Sequence, residues 1–208
     1  MALESIYQFH LGEKECIPST SSVIGRSWVP LICLVMLFFT GIASQDCDES
    51  RHKLEETNQA NLELLTKKMG STIPIECMDN VINFASKPNE ENFKRLTQLQ
   101  AENATVAIQE ILQEILHLFS DDHAKMAWDE NTIAAFKAGM NREIGDLRPC
   151  LGTGDYIDII PIVKAYFQRI KDELKDKDYS ICTWEIAQLE IRECLLAIAQ
   201  LIKRMHSE

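Results

Sequence analysis

Apolar residues recur every three or four positions along this chain, and that spacing commits it to helices. Ile108, Ile111, Leu112, Ile115, Leu116 and Phe119 show it most clearly. Side chains at i, i+3, i+4 and i+7 share one face of an α-helix but fall on both faces of a strand. The same reading predicts five helices. The first covers about 48–69, with Leu54, Leu62, Leu65 and Met69 on one face and Gly70 as its stop. The second covers about 99–119. Asp129 caps a third, carrying Ile133, Phe136, Met140, Ile144 and Leu147 and ending at Pro149. A fourth starts near Pro161, a residue tolerated in a first turn, and carries Ile160, Val163, Phe167, Ile170 and Leu174. The fifth, about 182–204, places Ala187, Ile191, Cys194, Ile198, Leu201 and Met205 on one stripe. No run alternates β-branched residues as a strand would. The fold class is all-α: a five-helix bundle with one long first connection, TIPIECMDNVINFASKPNEEN, broken by Pro74 and Pro88. Connections of that length inside a compact domain are commonly functional.

One long apolar run, VPLICLVMLFFTGIA at 29–43, stands ahead of the helices. It is short for a membrane span, matches a signal-peptide apolar region and ends in small residues suited to cleavage. Residues 1–44 are therefore expected to be a signal peptide with an unusually long leading region, and 45–208 a single secreted, extracellular domain. The leading residues hold Glu4, Glu13 and Glu15 against Lys14 and Arg26. That balance leaves a signal anchor, or a form that is not secreted, as the alternative. A formal net charge of −11 offers nothing to nucleic acid or to an anionic membrane.

Seven cysteines occur, at 16, 33, 47, 77, 150, 182 and 194. Cys16 and Cys33 would leave with the signal peptide. No pair is spaced C-x-x-C, so zinc-ribbon and thioredoxin-like chemistry have no support. In an oxidising compartment the remainder suggest two bridges and one leftover thiol. Cys194 lies on an apolar stripe and reads as a small packed hydrophobe. Cys182 opens the fifth helix in CTWEIAQLEI and reads as a disulfide anchor. Spacing does not choose its partner.

Enzyme chemistry finds no foothold. Glu114-x-x-His117 is half of a di-iron bundle motif whose second half is missing. The GTGD at 152–155 follows no strand and is too short for a phosphate cradle. No serine or cysteine sits in a nucleophile motif. His52, His117, His123 and His206 are scattered along the chain. No catalytic residue, metal site, cofactor or small-molecule substrate is expected. Asn103-Ala104-Thr105 is a glycosylation sequon, with Asn103 as the acceptor.

Two blocks carry a specific resemblance. YFQRIKDELKDKDYSICTWEIAQLEI, 166–191, resembles the last third of a type I interferon, in which Tyr-Ser-x-Cys-x-Trp-Glu opens the final helix. AIQEILQEILHLFSDDHAKMAWDENTIAAFKAGMNREIGDLRPC, 107–150, resembles that family's second and third helices. The resemblance implies a secreted, monomeric helical cytokine that bridges a two-chain receptor, activates receptor-associated kinases and drives antiviral and immune gene expression. It also implies the bridges Cys47–Cys150 and Cys77–Cys182, the second tying the long loop to the last helix, and a Trp184 packed inward beneath that loop.

By position, the resemblance implies a receptor surface of Met78, Asp79 and Val81 in the loop with Gln188, Leu189, Arg192 and Glu193 on the last helix. Lys164 on the fourth helix would face the second receptor chain. Familiar mammalian members carry arginine at the positions of Val81, Gln188 and Glu193, and losing an arginine hot spot costs about 2 kcal/mol or more. These departures imply a non-mammalian member with a co-adapted receptor. Competing readings are a type III interferon or interleukin-10-like cytokine and, from Glu114 and His117, a helical lipid or metal carrier.

Overall fold

The computed structural model describes the backbone at 29–70, 72–78, 93, 96, 99, 101–151 and 158–206, with side chains from residue 47 onward except at 101 and 102. Contacts divide the chain into Met1–Thr40 and Gly41–Glu208; the packing below belongs to the second unit. The expected signal peptide lies outside the residues whose side chains are described.

Five α-helices occur among the described residues: α1 Val29–Leu64, α2 Ala101–Leu118, α3 Glu130–Leu147, α4 Ile159–Asp176 and α5 Ile181–Met205. Four begin and end close to the expected positions. Helix α1 starts at Val29, far earlier than 48, and runs through Gly41; no glycine or proline interrupts 42–69 after it. It closes in a π-turn, Leu65–Met69, and stops at Gly70 with φ +115°. A side chain there would be strained by the backbone.

Side chains set the other ends. Asp129 accepts from the Thr132 amide at 2.9 Å and caps α3. Ser180 accepts from the Thr183 amide and caps α5. Between α4 and α5 the chain turns through two left-handed residues, Asp178 at φ +50° and Tyr179 at φ +53°. The Tyr179 amide donates to the Leu174 carbonyl at 2.7 Å, satisfying one of the acceptors a helix end leaves open.

Helix α2 packs against α3, α4 and α5. Ala104, Ala107, Ile108, Ile111, Leu112, Ile115, Leu118 and Phe119 are all buried. Around Phe119 gathers an aromatic cluster: Phe136 edge-on at 4.9 Å, Trp128 at 5.6 Å and Trp184 at 6.3 Å between ring centroids. Trp128 and Trp184 meet edge-to-face at 5.7 Å. Such pairs add about 0.5–1.5 kcal/mol beyond their burial. The Trp128 indole also donates to the Met69 carbonyl at 2.9 Å, tying the end of the π-turn to this cluster.

Helix α3 departs from its expected stripe. Ile144 is half-buried, while its neighbour Glu143 is buried at 0% exposure. The Asn61 amide on α1 donates to Glu143 Oε1. Gly139 permits that approach, since a Cβ there would fall 1.8 Å from Asn61 Oδ1. Burial is the main cause that raises the Glu143 carboxyl from 4.5 to about 8; the Asn61 hydrogen bond opposes the shift and Asp146 adds to it.

Between pH 4.5 and about 8 the unfolded chain has released this proton while the folded chain retains it. Stability from this group therefore falls as pH rises through the window. Glu143→Gln removes the titration. It is expected to raise stability at pH 7.5 by about 1–3 kcal/mol, with the gain vanishing toward pH 4.5. Thermal unfolding across that range checks it, and a pH-independent offset would reject a titrating Glu143.

Candidate functional site

Two disulfides define the surface of interest. Cys77–Cys182 joins a short 3₁₀ turn, Ile75–Cys77, to the first turn of α5, with Cα atoms 5.1 Å apart. Cys47–Cys150 joins α1 to the end of α3 at 4.9 Å. Extended Pro74 leads into the 3₁₀ turn, and its carbonyl accepts from the Cys77 amide at 2.9 Å. Trp184, two residues beyond Cys182, is fully buried. Each bridge closes a loop of about a hundred residues, for which the chain-entropy model gives about 4.7 kcal/mol and about 2–4 is typical.

Apolar side chains stand in water around the Cys77–Cys182 bridge. Ile75 is 90% exposed, Met78 51% and Ile181 58%. All three lie within two residues of the bridge, where the disulfide and the buried Trp184 fix the backbone beneath them. Three exposed apolar side chains within two residues of one bridge make this surface the candidate interaction site. Ile75 and Ile181 are absent from the sequence-derived surface, although an isoleucine beside each bridging cysteine, in IPIEC and SIC, was the available signal.

The interferon alpha/beta domain matches residues 50–205. The chain belongs to that family. An interferon beta from Tachyglossus aculeatus aculeatus is 33% identical over 155 residues, covering 71% of this chain and 81% of its own. An interferon tau from Cervus elaphus is 32% identical over 183 residues, covering 84% and 91%. Zebrafish interferon 2 superposes with a TM-score of 0.53 at 25% identity, over 70% of this chain and 97% of its own. Zebrafish interferon 1 shares the fold with a TM-score of 0.63 at 21% identity, over 76% and 99%. The protein is an interferon-like cytokine with the all-α, two-disulfide architecture of its family.

Within this interferon, the positions assigned to receptor contact fall into different environments. Met78 is exposed, Glu193 is exposed, and Leu189 and Arg192 are half-buried along the outer side of α5. Asp79 and Val81 lie outside the described residues. Gln188 requires a correction. It is 1% exposed, and its amide donates to the Leu65 carbonyl at 3.4 Å and to the Gly70 carbonyl. It holds the end of α1 against α5 rather than facing a partner, so the interferon arginine missing at this position removes no surface contact here.

Other polar side chains of α5 are engaged inside the molecule. Glu190 accepts from the Tyr166 hydroxyl and pairs with Arg169 at 3.0 Å. Burial, followed by Cys194 and Glu190, raises the Tyr166 hydroxyl well above its usual range. Cys194 is a free, fully buried thiol, and burial pushes it well above the ordinary thiol range. It packs with the core as the stripe implied. Glu185 is half-buried, and burial raises its carboxyl.

Lys164 is exposed on α4 and pairs with Glu110 of α2 at 3.6 Å. Glu114 pairs with Lys171 at 2.6 Å, which accounts for the acidic half of the incomplete di-iron motif, and His117 is exposed. Asn103 sits half-buried in the first turn of α2, next to buried Ala104 and Thr105.

Gln188→Ala is expected to destabilise the interferon by about 1–3 kcal/mol, because the Leu65 and Gly70 carbonyls lose a buried donor. An exposed Gln188 would instead give a change within about 0.5 kcal/mol. Chemical denaturation of the two proteins separates these outcomes.

Proposed function

We propose that the chain is secreted after removal of residues 1–44 and acts as a monomer that bridges two receptor chains on the cell surface. Bringing the two chains together activates their associated kinases and switches on antiviral and immune gene expression. The observation that carries this reading is the apolar surface of Ile75, Met78 and Ile181 held at the Cys77–Cys182 bridge. A loop that is already ordered loses less conformational freedom on association, so more of its contact energy survives as affinity.

In this reading one receptor chain docks on that surface together with Leu189, Arg192 and Glu193 of α5, and with Asp79 and Val81 further along the loop. The second chain meets α4 at Lys164, whose side chain stands 59% exposed despite its pairing with Glu110. The charge-altered positions Val81 and Glu193 go with a receptor co-adapted to this chain. A glycan on Asn103 would project from the start of α2, apart from the bridge.

The test is a signalling assay. The full chain is expressed in cells of its own host, and conditioned medium is applied to fresh cells. Phosphorylation of signal transducers should appear within the hour and vanish when the protein is reduced. Met78→Asp with Ile181→Asp should weaken potency about 10–30-fold, the effect of one lost hot spot, without lowering Tm. Lys164→Glu should weaken recruitment of the second chain while leaving the first contact intact in binding to the isolated receptor ectodomains. Silence from processed protein in the medium, or full potency of the aspartate variant, would overturn the proposal.

A further inference from the structure

His52, Glu55 and His206 are far apart in the sequence and together in the fold. We propose that they form a binding site for a divalent transition-metal ion, with zinc(II) the best match. Their ligand atoms all lie within 4.8 Å of one another. The two imidazole rings stand 5.2 Å apart between centroids and tilt at 42° rather than stacking face to face.

Each ligand is carried on a fixed element. His52 and Glu55 are three residues apart on α1 and therefore share a face. Leu54, between them, is buried at 1% exposure and anchors that turn in the core. His206 caps α5, its amide donating to the Lys203 and Arg204 carbonyls, and Met205 beside it is buried. The register between the two helices is set nearby by Asn58, whose amide donates to the Leu195 carbonyl at 3.1 Å in a buried position. Only the ligand side chains need to move. Zinc–nitrogen bonds of about 2.1 Å at a tetrahedral angle put two ligand atoms about 3.4 Å apart. Closing the observed separation to that value takes small rotations of exposed side chains.

The donor set selects the ion. Two imidazoles and one carboxylate suit zinc, copper(II) or nickel(II), whereas calcium and magnesium prefer oxygen-only shells. Three protein ligands leave a fourth position for water. A bound ion would join the first helix to the last residues of the fifth, adding a third clasp to the two disulfides. Such a clasp stabilises the folded chain in proportion to how far free metal exceeds the dissociation constant. Nothing in this site overlaps the surface around Cys77–Cys182 or Lys164, so it stands apart from the receptor reading.

The experiment uses protein produced from the full chain, stripped with chelator and titrated with zinc chloride by calorimetry, with thermal unfolding in parallel. One ion per chain is expected, with Tm rising by about 5–10 °C when free zinc reaches a hundredfold of the dissociation constant. His52→Ala and His206→Ala should each abolish the rise, and Glu55→Gln should weaken binding about tenfold or more. His117→Ala and His123→Ala should bind as the parent does. All three ligands are exposed, so the variants keep the zinc-free Tm and the comparison remains readable. The proposal fails if zinc does not bind, or if parental affinity persists in His52→Ala and His206→Ala. A stoichiometry of one ion per two chains would also overturn it, by placing the ion between copies.

Discussion

The bundle depends on the burial of α2. Its apolar residues face α3, α4 and α5, so among the described residues it is the one helix that packs extensively against all three. Ile108, Ile111, Leu112 and Ile115 are wholly excluded from water, and each contributes about 1.5–3 kcal/mol of hydrophobic stabilisation. Ala104 and Ala107 are buried on the same face. The polar side of α2 joins the same arrangement through ion pairs rather than apolar contact: Glu110 reaches Lys164 and Glu114 reaches Lys171, both on α4.

Around that helix, the long first connection carries no helical stripe of its own. Pro74 and Pro88 break it. Three ties fix its beginning: the Cys77–Cys182 bridge, the Trp128 indole on the Met69 carbonyl and the Gln188 amide on the Gly70 carbonyl. Each tie comes from an element on the far side of the sequence. Together they convert the entry to the loop into a rigid platform from which Ile75 and Met78 project. Pre-organisation at the bridge and exposure of apolar side chains beside it have one structural cause.

The helices were legible because α-helical periodicity is local. Ile133, Phe136, Met140 and Leu147, or Ala187, Ile191, Cys194, Ile198 and Leu201, reveal their buried face whatever they pack against, and all of them are buried. Failures occurred where burial came from a neighbour rather than from a residue's own polarity. Gln188 lies beside the apolar stripe of α5, but the π-turn of α1 covers it, so an amide expected in water satisfies two carbonyls inside. Glu143 reads as a surface acid beside Ile144 until Asn61 and the missing Cβ of Gly139 are seen opposite it. The start of α1 at Val29 was not legible, because an apolar leader carrying Pro30 and Gly41 and an amphipathic helix follow different patterns.

By itself, then, the sequence determined five helices, the Gly70 stop and the Asp129 cap, a free buried thiol and the family, because spacing, capping residues and motif order are properties of short stretches of chain. The tertiary structure alone decided which polar side chains lie inside, that Ile75 and Ile181 share a surface with Met78, and that His52 meets His206. Those outcomes depend on which helical faces come together, and contact between distant residues is a consequence of packing three-dimensional shapes that no local pattern encodes.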